Sequence, residues 1–177
     1  SEKKRESDQA VAEKKAEYDI GTIHAFVSPR WTLEYCIALS CLGNEFHRAV
    51  HYGKKILNSN KISLTDRKIE DADSDAANEV QSWTALPDFQ KAYNVYQIML
   101  SDNGSSKLKA IVAQCFASIL RWNISIVPDG ITKEKMFELD LYHYQVDEGK
   151  KGELKQKIES DNYLKYIVDA IKYATGQ

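Results

Sequence analysis

Only one stretch of this chain alternates the way a β-strand does. Thr22–Ser28 spaces Ile23, Ala25 and Val27 two apart, with Phe26 adding apolar content, a period-two pattern bounded by Gly21 and Pro29. A lone strand cannot satisfy its own hydrogen-bonding ladder and must join a sheet. Apart from a short extended piece at Ser125–Gly130, the remaining periodic segments have helical spacing, so little here could build that sheet. The expected fold class is mostly α with one or two short strands. The orphan strand implies that its partners lie on preceding polypeptide.

The helical segments follow from spacing and punctuation. Ser1–Asp19 is charge-dense and reads as an exposed helix or as the tail of a helix begun further upstream. After Pro29, Trp31–Leu42 has helical spacing through Leu33 and Ile37, and Gly43 is expected to end it. Asn44 opens a helix to about Leu57, with Phe46, Val50 and Leu57 inward. Asn58–Asp75 is polar and reads as a loop, followed by helices over Ser74–Leu86 and Asp88–Leu100 separated by Pro87. The second of these carries Phe89, Tyr93, Tyr96 and Leu100 at helical spacing. Lys107–Trp122 is the cleanest amphipathic segment, with Leu108, Ile111, Val112, Cys115, Ile119 and Leu120 on one broad face. Further helices are expected at Lys133–Tyr144, Gly152–Glu159 and Asn162–Ala174. No repeat, low-complexity tract or long linker divides the chain, so residues 1–177 read as a single domain.

Composition narrows the function classes. With 177 residues, 43% of them hydrophobic, a chain of this size buries roughly 70% of its unfolded surface. No run approaches the ~18 apolar residues of a membrane span, and SEKKRESDQAVAEKK has no apolar stretch resembling a secretion signal. Three cysteines without a CxxC pair suit a reducing cytoplasm. The expectation is a cytoplasmic protein with no membrane partner. The net charge of −2, from 24 basic and 26 acidic residues, lacks the basic excess of a self-sufficient nucleic-acid binder. Any DNA contact would therefore be shared with a larger assembly.

Several side chains are candidates for chemistry, and each has an ordinary structural alternative. Thr32 and Glu34 sit on the lip between strand and helix. They suit an N-cap and a carboxylate facing the helix dipole, and equally an oxygen-ligand site for Mg²⁺ or Mn²⁺ beyond a strand end. Lys107 and Lys109 flank the apolar stripe of their helix, where they can snorkel or meet a phosphate near the helix N-terminus. The run Asp71–Asp75, DADSD, fails as a calcium loop because Ala76 and Ser82 occupy the glycine and glutamate positions. His47 and His51 have ligand spacing, but Arg48 stands where a zinc protease carries its glutamate. Glu138 and Asp140 are two apart and would diverge on a helix.

Three blocks carry a resemblance. IHAFVSPRWTLEYCIALS resembles the segment of OLD-family (overcoming-lysogenization-defect) endonucleases in which a strand runs into a TLEYDLAL-like helix. SKLKAIVAQCFASIL is similar to that family's later lysine-bearing helix, and YLKYIVDAIKYATG to its C-terminal helix. The blocks occur in the family's order and cover about a quarter of the chain. The resemblance implies the C-terminal portion of an α/β Toprim nuclease domain plus helical additions, in a cytoplasmic, phage-defence endonuclease driven by an N-terminal ATPase. It implies phosphodiester hydrolysis at a two-metal site, with Glu34 as a Mg²⁺ or Mn²⁺ ligand and Thr32 as a ligand or its neighbour. Lys109 would stabilise charge on the scissile phosphate, with Lys107 as its alternative. Cys36 stands where the pattern has an aspartate.

The family's earlier glutamate and Asp-x-Asp pair have no match here. The isolated chain is accordingly expected to be inactive, with ATP relevant only through the absent ATPase and DNA bound only within the parent protein. Two other classes compete. One is a non-enzymatic helical interaction module, homodimeric through the stripes of Ser106–Trp122 and Asn162–Ala174. The other is a zinc enzyme built on His47 and His51.

Overall fold

The stripe of Leu108, Val112, Cys115 and Ile119 falls at helical spacing, and all four side chains are buried. The helix that carries it forms one half of the central pair. In the computed structural model, residues 8–59, 64–100, 106–137 and 143–176 are described. Among them are eight α-helices: α1 (Asp8–Tyr18), α2 (Leu33–Leu39), α3 (Gly43–Ser59), α4 (Asp66–Ser82), α5 (Asp88–Leu100), α6 (Ser106–Asn123), α7 (Glu148–Ser160) and α8 (Lys165–Thr175). A 3₁₀ turn spans Lys133–Phe137. None of the helices is long and apolar enough to cross a membrane.

Helix α3 is the hub. It packs on α6, α4, α2 and α5, and buries Phe46, His47, Ala49, Val50, His51, Tyr52 and Gly53. Gly53 permits the close crossing with α6: a Cβ there would lie 2.8 Å from Val112 Cγ2 and 3.3 Å from Leu108 Cδ1. Ile69, Ala72 and Ala76 of α4, with Val95 and Met99 of α5 and Met136 of the 3₁₀ turn, complete the core. The expected stripe on α6 is therefore present. On α5 the fully buried residues are Ala92, Val95 and Met99, while Phe89 is exposed.

Several expectations are corrected. No β-strand occurs among the described residues: residues 23–28 are extended without a ladder. Tyr173 of α8 instead packs beside the segment, its ring 4.5 Å from that of His24 and 5.8 Å from that of Phe26. The second extended piece is a single antiparallel bridge between Ser125 and Val146. The Asn58–Asp75 loop is largely helix, because α4 begins at Asp66. Its inward face is mostly alanine, which hides the amphipathic pattern among aspartates. Gly43 does not terminate a helix but opens α3, and it is required by a tight corner: a Cβ at this position would lie 2.5 Å from the Ala38 carbonyl oxygen. Of the helix expected over Lys133–Tyr144, the described residues show a 3₁₀ turn at Lys133–Phe137 and no α-helix. Glu138 and Asp140 lie outside the described residues.

Three carboxylates join distant segments. Asp66 and Glu134 cap each other's backbone, with Asp66 N–H donating to Glu134 Oε1 at 2.6 Å and Glu134 N–H to Asp66 Oδ1 at 3.0 Å. Asp161 accepts from Tyr163 N–H at 2.8 Å in the α7–α8 turn and from Cys41 N–H at 2.7 Å in the α2–α3 corner. This second tie holds α8 beside the 23–41 segment.

Candidate functional site

Helix α2 starts where Pro29 has ended the extended segment. Thr32 takes an extended backbone conformation, and its hydroxyl oxygen accepts from Tyr35 N–H at 3.2 Å, so Thr32 is an N-cap in fact. Glu34 follows in the first turn, where the free N–H groups and the helix dipole favour a negative charge. Its Oε1 accepts a hydrogen bond from Lys109 Nζ at 2.9 Å, across 75 residues of sequence. Burial pushes the Glu34 carboxyl up, but hydrogen bonds from Lys109, its own backbone N–H and Thr32 outweigh this and hold it below the usual range. Lys109 is shifted the matching way, upward, chiefly by its bond to Glu34. The Glu34 side chain is 25% exposed and that of Lys109 40%. The pair is thus an ion pair at the protein surface, open to exchange. Lys107 is exposed on the same helix.

The surroundings come from the segments on either side. Trp31 stacks on Tyr93 with ring centroids 6.0 Å apart and lies 6.0 Å from Tyr35 and 5.8 Å from Tyr96. Tyr35 donates to the Phe89 carbonyl at 3.1 Å. These contacts fix α2 against α5 and so fix the direction of Glu34. Cys36 is fully buried, with Sγ 3.0 Å from Ser28 Oγ. Burial raises its thiol pKa against the opposing Ser28 hydrogen bond, so it is an uncharged core group rather than a ligand. On the far side, Tyr166 of α8 faces Ser28, Cys36 and Glu34, and burial raises its pKa. The Arg30 guanidinium lies over the Tyr163 ring at 5.9 Å.

A second cluster lies between α3 and α4. His47 Nε2 is 2.7 Å and His51 Nε2 3.0 Å from the same oxygen, Glu79 Oε2, and the two Nε2 atoms are 3.3 Å apart. The Trp83 ring stacks on His47 at 5.2 Å. Burial lowers the His47 pKa, against the attraction of Glu79. Helical spacing identified the two histidines as a pair. Glu79 had no such signal, because its approach depends on the α3–α4 packing.

A third carboxylate is fully engaged. Asp73 receives Arg48 through Nε at 2.8 Å and Nη2 at 3.3 Å, Lys133 Nζ at 2.8 Å, and the Tyr52 hydroxyl. Asp73 and its neighbours in the DADSD run sit on α4 rather than in the expected polar loop. Asp75 meets Lys55 at 2.9 Å. No family model, curated protein or solved structure matches this chain.

Proposed function

We propose that this chain supplies part of a Toprim-type, metal-dependent DNA-cleaving site in an OLD-like, ATPase-coupled endonuclease. The observation that carries the proposal is the contact between Glu34 and Lys109. Two residues selected from separate resembling blocks, 75 positions apart, touch at 2.9 Å. The third block, on α8, closes on the first through Tyr166, Tyr163 and Tyr173. Lys109, rather than Lys107, is the lysine that reaches Glu34.

The donor chemistry fits. A partly exposed, ionised carboxylate is a hard oxygen ligand of the kind Mg²⁺ and Mn²⁺ take. A divalent ion bound there would supply a water nucleophile of lowered pKa and neutralise phosphate charge. Thr32 keeps the first turn of α2 formed and helps hold the Glu34 carboxyl below its usual range, so it positions the ligand. Lys109, whose ammonium stays protonated beside Glu34, is placed to counter charge on a phosphate oxygen. Releasing Lys109 from Glu34 costs little, because exposed ion pairs contribute only about 0–1 kcal/mol. Glu34 and Thr32 are too few ligands for two metals, so the proposal needs further carboxylates from polypeptide joined to this chain.

The test is Mg²⁺- or Mn²⁺-dependent nicking of supercoiled plasmid by the ATPase-bearing parent protein. Glu34→Gln and Lys109→Ala should each abolish nicking and leave ATP hydrolysis intact. Unchanged nicking in both variants removes these residues from the mechanism. The isolated chain should not nick.

An interaction module has its own support in the exposed apolar side chains of Ile20, Ile23, Ile171 and Tyr173. Tyr173 packs beside His24, so they flank one edge of the fold. Sedimentation of the isolated chain separates the two ideas: a tight dimer broken by Ile171→Glu favours the module.

A further inference from the structure

We infer that His47, His51 and Glu79 form a second metal site, distinct from the Glu34 region, for a borderline divalent transition ion of the Zn²⁺ class. Three ligand atoms from two helices converge with edges of 2.7, 3.0 and 3.3 Å. In a tetrahedral site with bonds of about 2.0–2.1 Å, ligand atoms stand roughly 3.3 Å apart. The two imidazole nitrogens already have that separation. The carboxylate oxygen is drawn slightly closer, as suits an oxygen sharing a proton with nitrogen where an ion would sit. This is the one group of three or more such ligands found among the described residues.

Hydrogen bonds from both imidazoles to one oxygen account for the 2.7 and 3.0 Å contacts, but they leave the two Nε2 atoms facing each other at 3.3 Å. Both histidines aim the same ring nitrogen, Nε2, at one carboxylate oxygen and at each other. If both carried hydrogen on Nε2, two N–H groups would crowd a 3.3 Å gap. If one did not, its lone pair would face the carboxylate oxygen at 3.0 Å or less. One cation satisfies all three lone pairs together. Neutral imidazoles and one carboxylate form a His₂Glu donor set, with imidazole nitrogen favouring Zn²⁺ over Mg²⁺ or Ca²⁺.

The surroundings suit a site with one open position. The His47 and His51 side chains are 3% and 9% exposed, whereas that of Glu79 is 33% exposed. The trio therefore closes on the protein side and opens to solvent on the α4 side, where water can complete the coordination. Trp83, just past α4, stacks on His47 and fixes its ring. Because the ligands come from α3 and α4, a bound ion would clamp α4 to the central helix.

The experiment uses the tag-free full chain, stripped with a chelator and titrated with Zn²⁺, and with Co²⁺ as a spectroscopic probe. One equivalent should bind, the Co²⁺ form should show the visible bands of a tetrahedral N/O site, and Zn²⁺ should raise the melting temperature. Glu79→Gln and His51→Gln, each checked for native circular dichroism without metal, should weaken binding about tenfold or more. Glu34→Gln should leave it unchanged. Absence of one-equivalent binding, or binding lost in Glu34→Gln but kept in Glu79→Gln, overturns the site. A failure here does not touch the nicking test above, which depends on Glu34 and Lys109.

Discussion

Asp73 and Glu34 both reach a lysine far away in sequence, yet they are wired for different work. Asp73 spends its lone pairs inside the protein, on a bidentate Arg48, on Lys133 and on the Tyr52 hydroxyl. Those donors lie on α3 and in the 3₁₀ turn, so the carboxylate joins three elements. Glu34 meets one distant donor, Lys109, and otherwise draws on its own helix N-terminus. An ionised carboxylate has about four acceptor positions. Asp73 has used them on the fold, while Glu34 keeps capacity for a ligand. The contrast separates a structural acid from a candidate chemical one without reference to any relative.

The largest expected effect is on activity. In the proposed parent endonuclease, Glu34→Gln should lower nicking by about a hundredfold or more, as should Lys109→Ala, which removes one transition-state electrostatic contact. Asp73→Asn should leave nicking per folded molecule within a few-fold, measured against the fraction folded. Stability should show the reverse order. Breaking a buried pair costs about 3–5 kcal/mol, and discounting for side chains about a quarter exposed gives about 2–4 kcal/mol for Asp73→Asn in urea denaturation. If Glu34→Gln proves the more destabilising of the two, the division of labour is wrong.

The legibility of these sites in sequence differed for a physical reason. The stripe of α6 and the α2 cap are local patterns, carried by large apolar residues or a capping threonine, and sequence spacing found them. The first half of α4 escaped because Ile69, Ala72 and Ala76 present so little apolar area between aspartates, whereas its second half fell within the expected Ser74–Leu86 helix. Asp73 was read as part of a polar loop, and Glu79, though on an expected helix, gave no local sign of its approach to His47 and His51. The extended stretch at 23–28 has the alternation of a strand, but alternation cannot say whether a helix or a strand packs beside it. Here Tyr173 and Tyr166 of α8 do. The Glu34–Lys109 contact was reached through resemblance, since no local spacing joins residues 75 apart.

Gly43 links the two carboxylates, because the α2–α3 corner orients Glu34 relative to the helix that bears Arg48. Its Cβ would meet backbone, the Ala38 carbonyl at 2.5 Å, which cannot move like a side chain. Gly43→Ala should therefore cost about 1–3 kcal/mol despite alanine's better helix propensity. It should also reduce nicking by tilting α2. Wild-type stability with intact activity would show that the corner does not position Glu34.

Acid sharpens the same contrast at the smallest scale. Burial raises the Asp73 carboxyl, but Arg48, Lys133 and Tyr52 outweigh it, so its folded pKa lies below the unfolded value of about 3.9. A depressed carboxylate contributes stability that is fully present above the unfolded pKa and lost as pH falls through the folded one. The gap in stability between wild type and Asp73→Asn should thus be constant from neutral pH to about 5 and shrink below about 4. Glu34 is depressed in the same direction, but its partner is two-fifths exposed and screened by water. Glu34→Gln should follow the wild-type acid limb closely, with a gap of about 1 kcal/mol or less at neutral pH. High salt should shrink that gap further while leaving most of the Asp73 difference. A gap for Glu34→Gln as large and as salt-resistant as that of Asp73→Asn would mean that Lys109 holds Glu34 for the sake of the fold, and that its carboxylate has no spare capacity for a metal.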